Sequence, residues 1–140
     1  MTRAEITALL DERRAGIESR DARALARLHA DDGVVESLMA GTHWGRAAIE
    51  DVYRAWFKAF PDVVSTTEVV LIDGDRAVEV AMTTGTDTGG FMGLPPTGKP
   101  FRLPIVFVYA FGDGSIVHER RIYDFTGLLL QIGVLKARPA

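Results

Sequence analysis

Apolar residues recur at three- and four-residue steps through the first part of the chain and at two-residue steps through the rest. Ile6, Leu9, Leu10, Arg13 and Ile17 follow the first rhythm, which puts the apolar members on one stripe of a helix. Asp21 is placed to cap a second short helix over 22–29, ending before Asp31-Asp32-Gly33. Val34 to Met39 reads as a short strand, and Gly41 to Gly45 as a break. A third helix is predicted over 46–59, where Ile49, Val52, Tyr53, Trp56, Phe57 and Phe60 form a wide apolar face and Pro61 ends it. From there the period is two. Segments 63–72, 75–86, 101–111 and 115–125 are rich in Val, Ile, Thr, Phe and Tyr, and Asp73-Gly74-Asp75 and Gly112-Asp113-Gly114 sit where tight hairpin turns belong. Between the middle two strands the glycines and prolines of 89–98 forbid regular structure and predict a long connection or lid. Helices followed by a mostly antiparallel sheet give an α+β domain, with the helices on one sheet face.

Composition narrows the function classes. The 140 residues suit one domain, 1–140, with 47% hydrophobic and 25% charged residues. Sixteen basic against nineteen acidic residues give a net charge of −3, which argues against a nucleic-acid surface. Without cysteine there is no disulfide, thiol nucleophile or cysteine-rich zinc site. Apolar runs such as 103–111 fall short of the roughly 18 residues that a membrane span needs. The start, Met1-Thr2-Arg3-Ala4-Glu5, has no apolar signal core, so a cytoplasmic protein is expected.

Little of the usual catalytic vocabulary is present. His29, His43 and His118 have no metal-ligand spacing, so no metal is expected. His29 reads as a partly buried residue at a helix end, while His43, in a turn beside Trp44, is placed to reach a pocket. There is no Gly-x-Ser-x-Gly elbow, and the Gly-rich stretch 85–93 precedes no helix that would hold a phosphate. The last strand carries Ile116, His118, Arg120, Ile122 and Asp124 on one face and Val117, Glu119, Arg121, Tyr123 and Phe125 on the other. Asp124, among Ile122, Phe125 and Gly127-Leu128-Leu129-Leu130, is either the cap of a short helix at 126–131 or a functional acid/base. Glu36 offers a second carboxylate on the first strand, or an exposed strand charge. Tyr53, Trp56, Phe57, Phe91 and Phe107 line an aromatic pocket or form ordinary core; Lys99 and Arg102 flank the loop.

Several segments resemble SnoaL-like polyketide cyclases. They are Gly41–Gly45 with Arg46-Ala47-Ala48-Ile49, Ala59-Phe60-Pro61-Asp62, Asp73-Gly74-Asp75-Arg76, Gly85-Thr86-Asp87-Thr88-Gly89, Phe91 to Lys99 with its Pro-Pro-Thr-Gly, and Asp124 to Gly133 with its Gln-Ile-Gly. The resemblance implies a nuclear-transport-factor-2-like fold: a curved, mixed, mostly antiparallel sheet wrapped around N-terminal helices, leaving a conical pocket, commonly as a dimer. It implies that Asp124 is the general acid/base of an intramolecular aldol closure that needs no cofactor. This chain has Asp87 where many relatives have histidine, and Arg120 near a position where tryptophan is frequent.

The expected function is therefore a cyclase or isomerase acting on a hydrophobic, polyketide-like carbonyl compound through Asp124. The alternative is a non-catalytic protein holding a hydrophobic small molecule in the same cone. An epoxide hydrolase ranks lower, because no Arg-x-Asp lies on strand 101–111, and a ketosteroid-isomerase activity lacks a placeable tyrosine and second acid. The strand 101–111 is apolar on both faces, which predicts a homodimer through the outer side of the sheet.

Overall fold

The computed structural model describes residues 1–37 and 40–138. The chain opens with α1 (Arg3–Ser19), started by a capping box in which Thr2 and Glu5 satisfy each other's backbone N–H groups. Its stripe is Ile6, Leu9, Leu10 and Arg13, all buried. A short α2 (Ala22–Arg27) follows, capped by Asp21, whose carboxylate accepts from the Ala24 N–H. Then come β1 (His29–Ser37), β2 (Gly41–Trp44), α3 (Gly45–Ala59), β3 (Val64–Asp73), β4 (Arg76–Thr86), β5 (Pro100–Gly112), β6 (Ser115–Ile122) and α4 (Phe125–Gln131).

The strands form one curved sheet in the order β2-β1-β6-β5-β4-β3. Only β1 and β6 run parallel; the other neighbours are antiparallel. Three register shifts bend it: residues 30–33 leave the β1 ladder, Glu68 is extra in β3, and Val117 is extra in β6. The helices cover the concave side, where Phe60, Phe101, Leu103, Ile105, Phe107, Tyr109, Phe111 and Ile116 meet α1 and α4 in the main core. Among the described residues no helix is long and apolar enough to cross a membrane.

Two sequence expectations are corrected here. Gly41 to Trp44 is an edge strand rather than a break: all four residues pair with β1, and Gly41 has a φ of 82°. His29 is not at a helix end but is the first residue of β1, fully buried. The end of the expected first strand, Leu38 and Met39, lies outside the described residues. The connection after β4 is ordered by contacts of its own. Gly89 N–H donates to the Ala59 carbonyl at the end of α3, so closely that a Cβ there would collide with the Lys58 carbonyl oxygen.

Candidate functional site

One face of α3, residues 48, 51, 52, 55 and 56, forms the wall of an outer, apolar cavity, at the three- and four-residue spacing that shares a helix face. Phe91 and Met92, from a single 3-10 turn, and Tyr123 and Phe125, just beyond β6, close the opposite side; His43 stands at its β2 edge. The volume is about 420 Å³, a size that suits a small organic ligand. Trp56 packs its ring 5.7 Å from Phe91 and 5.8 Å from Tyr123, centre to centre, and Phe91 lies 6.1 Å from Phe125. The lining is mostly apolar, and its titratable members are His43, Asp51 and Tyr123. His43 Nε2 lies 2.9 Å from the Ala40 carbonyl oxygen. A carbonyl only accepts, so Nε2 carries the hydrogen and a neutral His43 keeps its lone pair on Nδ1.

A second, inner cavity of about 40 Å³ shares Trp56 with the first and is lined further by Arg13, Tyr53, Phe57, Thr83, Ile105, Phe107 and Arg121, among others. Beside it lies a buried charge cluster centred on Glu119, which is wholly inaccessible to solvent. Glu119 Oε1 accepts from the Tyr53 hydroxyl at 2.7 Å and from Arg13 Nε at 3.0 Å; Oε2 accepts from Arg121 Nε at 2.8 Å. His29 Nδ1 donates to the Leu25 carbonyl at 3.0 Å, and its Nε2 stands 3.4 Å from Glu119 Oε1. Glu79 extends the network: it accepts from Tyr109 at 3.0 Å and Thr67 at 2.7 Å, with Arg13 Nη1 at 3.7 Å. The Arg13 guanidinium lies over the Phe107 ring at 4.4 Å and that of Arg121 over Tyr53 at 4.7 Å.

Burial by itself would raise the Glu119 carboxyl, but Arg13 and Arg121, with the His29 contact, hold it well below the usual carboxylate range. Burial works equally against the charge of Arg13 and Arg121, and Glu119 outweighs it, so both stay protonated. Burial pushes the Tyr53 hydroxyl up to about 12 and Tyr109 well above the ordinary phenol value, and it raises Tyr123 too. These are the three tyrosines of the chain. An alkaline titration followed by tyrosinate absorbance is therefore expected to stay flat through about pH 10, where free phenols ionise. Because the folded values lie above the unfolded one, this stabilisation is full below about pH 10 and is lost as the pH rises toward the folded values. A tyrosine ionising near pH 10 in the intact protein would contradict the burial described.

Of the residues singled out from the sequence, His43, Trp56 and Phe91 line the outer cavity, and Tyr53, Trp56, Phe57 and Phe107 line the inner one. Four stand elsewhere. Asp124 is exposed and lines neither cavity. Of its two readings the cap is the one seen: it is the N-cap of α4, and Oδ1 accepts from the Gly127 N–H at 2.8 Å. Arg120 and Glu36 are register partners whose side chains meet on the convex face, Nε 3.6 Å from Oε1, where Glu36 also takes His118 Nε2 at 3.0 Å. Asp87 is fully buried but organises its own loop, accepting from the Gly90 and Thr97 N–H groups and the Thr97 hydroxyl. Missed by sequence reasoning were Arg13, Glu79, Glu119 and Arg121 in the cluster, and Asp51 at the outer cavity. One signal for them was available: an arginine inside an apolar helical stripe, and an acid and a base two residues apart on one strand face, are charges that burial forces to pair.

A sheet wrapped over helices, with an apolar chamber beside a buried ionic cluster, defines a cone of the nuclear-transport-factor-2-like fold. More narrowly, the chain belongs to the SnoaL-like polyketide cyclase family, whose profile matches residues 8–132. Two solved structures share 27% identity with it. AclR of Streptomyces galilaeus, a candidate hydroxylase, aligns over 99% of this chain and 91% of its own with a TM-score of 0.83. IdmH of Streptomyces antibioticus, a candidate polyketide cyclase, aligns over 91% and 97% with 0.77. A SnoaL-like protein from Jannaschia sp. CCS1, at 20% identity and a TM-score of 0.86 over 95% and 94%, supports the fold alone. None of the curated proteins matches the chain.

Proposed function

We propose that this protein is a cofactor-independent cyclase that closes a ring in a hydrophobic, polyketide-like carbonyl compound held in the outer cavity. The observation that carries the reading is an apolar chamber of about 420 Å³ whose acid/base groups include His43 and Asp51 at its edge. Membership of the SnoaL-like family and the likeness to IdmH support it. Nδ1 of His43 takes a proton from a carbon flanked by carbonyls, the resulting enolate carbon attacks a second carbonyl of the same molecule, and the new alkoxide is protonated. The sum is an isomerisation: one C–C bond forms, a proton moves from carbon to oxygen, and no oxidant is consumed. The proton acceptor is thus assigned to the cavity wall and not to Asp124, whose carboxylate is engaged as a cap.

The test is to offer aromatic compounds that carry an activated methylene and a nearby ketone or aldehyde, following ring closure without change of mass by NMR. Enzyme-dependent closure upholds the proposal. Binding without conversion would favour the non-catalytic reading, which the position of Asp124 outside the cavity supports.

We also propose that the protein is a cytoplasmic homodimer. The convex face carries Val69, Leu71, Val78, Val80, Met82, Val106, Val108 and Ile122 in register, with Leu71 64% exposed. A contiguous apolar sheet face of this kind is rarely left to water. Light scattering is expected to give twice the 15.3 kDa chain mass, and Leu71→Glu to lower it. A wild-type value of 15.3 kDa at micromolar concentration would overturn the dimer.

A further inference from the structure

The inner cavity is built differently from the outer one. Arg13 and Arg121 both line it, both are buried (4% and 6% exposed), and in each the Nη2 group has no hydrogen-bond partner. Buried guanidinium donors left without an acceptor are costly, and natural interiors rarely keep them idle. Both Nε groups are spent on Glu119, one on each carboxylate oxygen. The two arginines are thereby anchored on one carboxylate, with Nη2 of each left without an acceptor.

The carboxylates nearby are already engaged. Three guanidinium groups, Arg13, Arg14 and Arg121, approach two buried carboxylates: Glu119 takes Arg13 and Arg121, and Glu79 takes Arg13 at 3.7 Å and Arg14 at 3.8 Å. Each carboxylate already accepts from a tyrosine hydroxyl. Arg14 is further paired with Asp11 at 2.9 Å, so the charges of the cluster balance and its carboxylates are taken up within it.

We infer that the inner cavity is an oxyanion site that receives the carboxylate, or an equally small anionic oxygen group, of the ligand, with Nη2 of Arg13 and Nη2 of Arg121 as its donors. A cavity of about 40 Å³ admits a group of roughly two or three heavy atoms and no ring. Trp56, common to both chambers, puts that group at one end of an elongated ligand whose apolar body occupies the outer cavity. Guanidinium donors converging on a planar acceptor suit a carboxylate in particular. The inference deepens the cyclase reading by giving the substrate a charged end, and rests on that reading only for the identity of the apolar body.

The experiment uses tryptophan fluorescence. The chain has two tryptophans; Trp44 is 70% exposed and lines neither cavity, so Trp44→Phe leaves Trp56 as the sole reporter. This protein is titrated, at constant ionic strength set with chloride, with cyclohexanecarboxylate and with the neutral cyclohexanecarboxamide. The carboxylate is expected to give a saturable change with an affinity at least about tenfold above that of the amide. That preference is expected to shrink to under about threefold in Arg121→Lys, which keeps the charge but removes the second nitrogen. A carboxylate that binds no better than its amide overturns the inference, as does a folded Arg121→Lys protein with the preference intact. Should Arg121→Lys fail to fold, the acid–amide comparison in Trp44→Phe decides alone. Carboxylate preference without turnover of any carbonyl compound would uphold this site and remove the cyclase reading; turnover without the preference would do the reverse.

Discussion

Replacing Glu119 by glutamine is expected to destabilise the fold by about 3–5 kcal/mol, the usual effect of removing one member of a buried ion pair. Glutamine has the same size, so no void forms, and the effect is electrostatic. It strips the charge from the group that Arg13, Arg121, Tyr53 and His29 all approach. It also turns one acceptor oxygen into an NH2 donor facing N–H or O–H groups. At roughly 2–8 °C per kcal/mol for domains of this general size, the melting temperature should fall by about 10 °C or more. Urea unfolding should show a lower midpoint with an unchanged slope. The pH dependence separates this from a packing defect. Because the Glu119 carboxyl is held below its unfolded value, its contribution is full above about pH 4–5 and is lost as the pH falls toward the folded value. The variant should lack that acid-side loss. A change below about 1 kcal/mol, or an unaltered acid limb, would mean that the cluster is not the paired network described.

The cluster is costly to break, yet that does not make it a source of stability. Buried ionic groups replaced together by apolar ones of similar volume often leave a protein as stable or more so. The cone had aliphatic alternatives at hand: α1 delivers Ile6, Leu9 and Leu10 to the same interior, and β5 delivers Ile105 and Phe107. The charged side chains Arg13, Glu79, Glu119 and Arg121 gathered beside the inner cavity are the geometry on which the proposed oxyanion site rests. They lie on the side of the sheet opposite to Arg120 and Glu36.

Much of the architecture was legible because it rests on local rules. The α1 stripe, the α3 face ending at Pro61, the two hairpin turns with Gly74 and Gly114 at positive φ, and the change of period near residue 62 each carry their own signal. The site was less legible, for three physical reasons. The extra residue Val117 breaks the alternation, so Ile116 and Glu119, three apart, are both fully buried. Asp124 sits in apolar company because α4 is apolar, and its carboxylate answers to the free N–H groups of that helix's first turn rather than to the cavity. Asp51 and His43 become neighbours of one chamber only when α3 packs on β1 and carries β2 with it, a contact that no short stretch of sequence encodes. Arg13 is the instructive case: it stood inside the stripe, and its burial required a carboxylate partner that lay 106 residues away.

The second large effect is expected at His43. His43→Gln keeps the size of the side chain and an N–H that can still reach the Ala40 carbonyl, but removes the basic nitrogen, so the edge of the cavity should survive. With a substrate established by the ring-closure assay, turnover is expected to fall by roughly 10²–10⁴ with little change in KM, the signature of a lost general base. Asp124→Asn is the necessary comparison. Asparagine caps helices as well as aspartate does, so the fold should be untouched, and a carboxylate outside the cavity should leave turnover within about twofold. Asp51→Asn distinguishes the remaining candidate, since Asp51 shares the cavity wall with His43 and either group can return the proton to the new alkoxide. If His43→Gln stays fully active while Asp124→Asn loses turnover without unfolding, the acid/base role belongs to Asp124 after all. Its carboxylate would then have to leave the Gly127 N–H and turn toward Tyr123 and Phe125 when substrate binds. A deficit in His43→Gln confined to KM would instead make the histidine a wall of the cavity and leave the proton acceptor to Asp51.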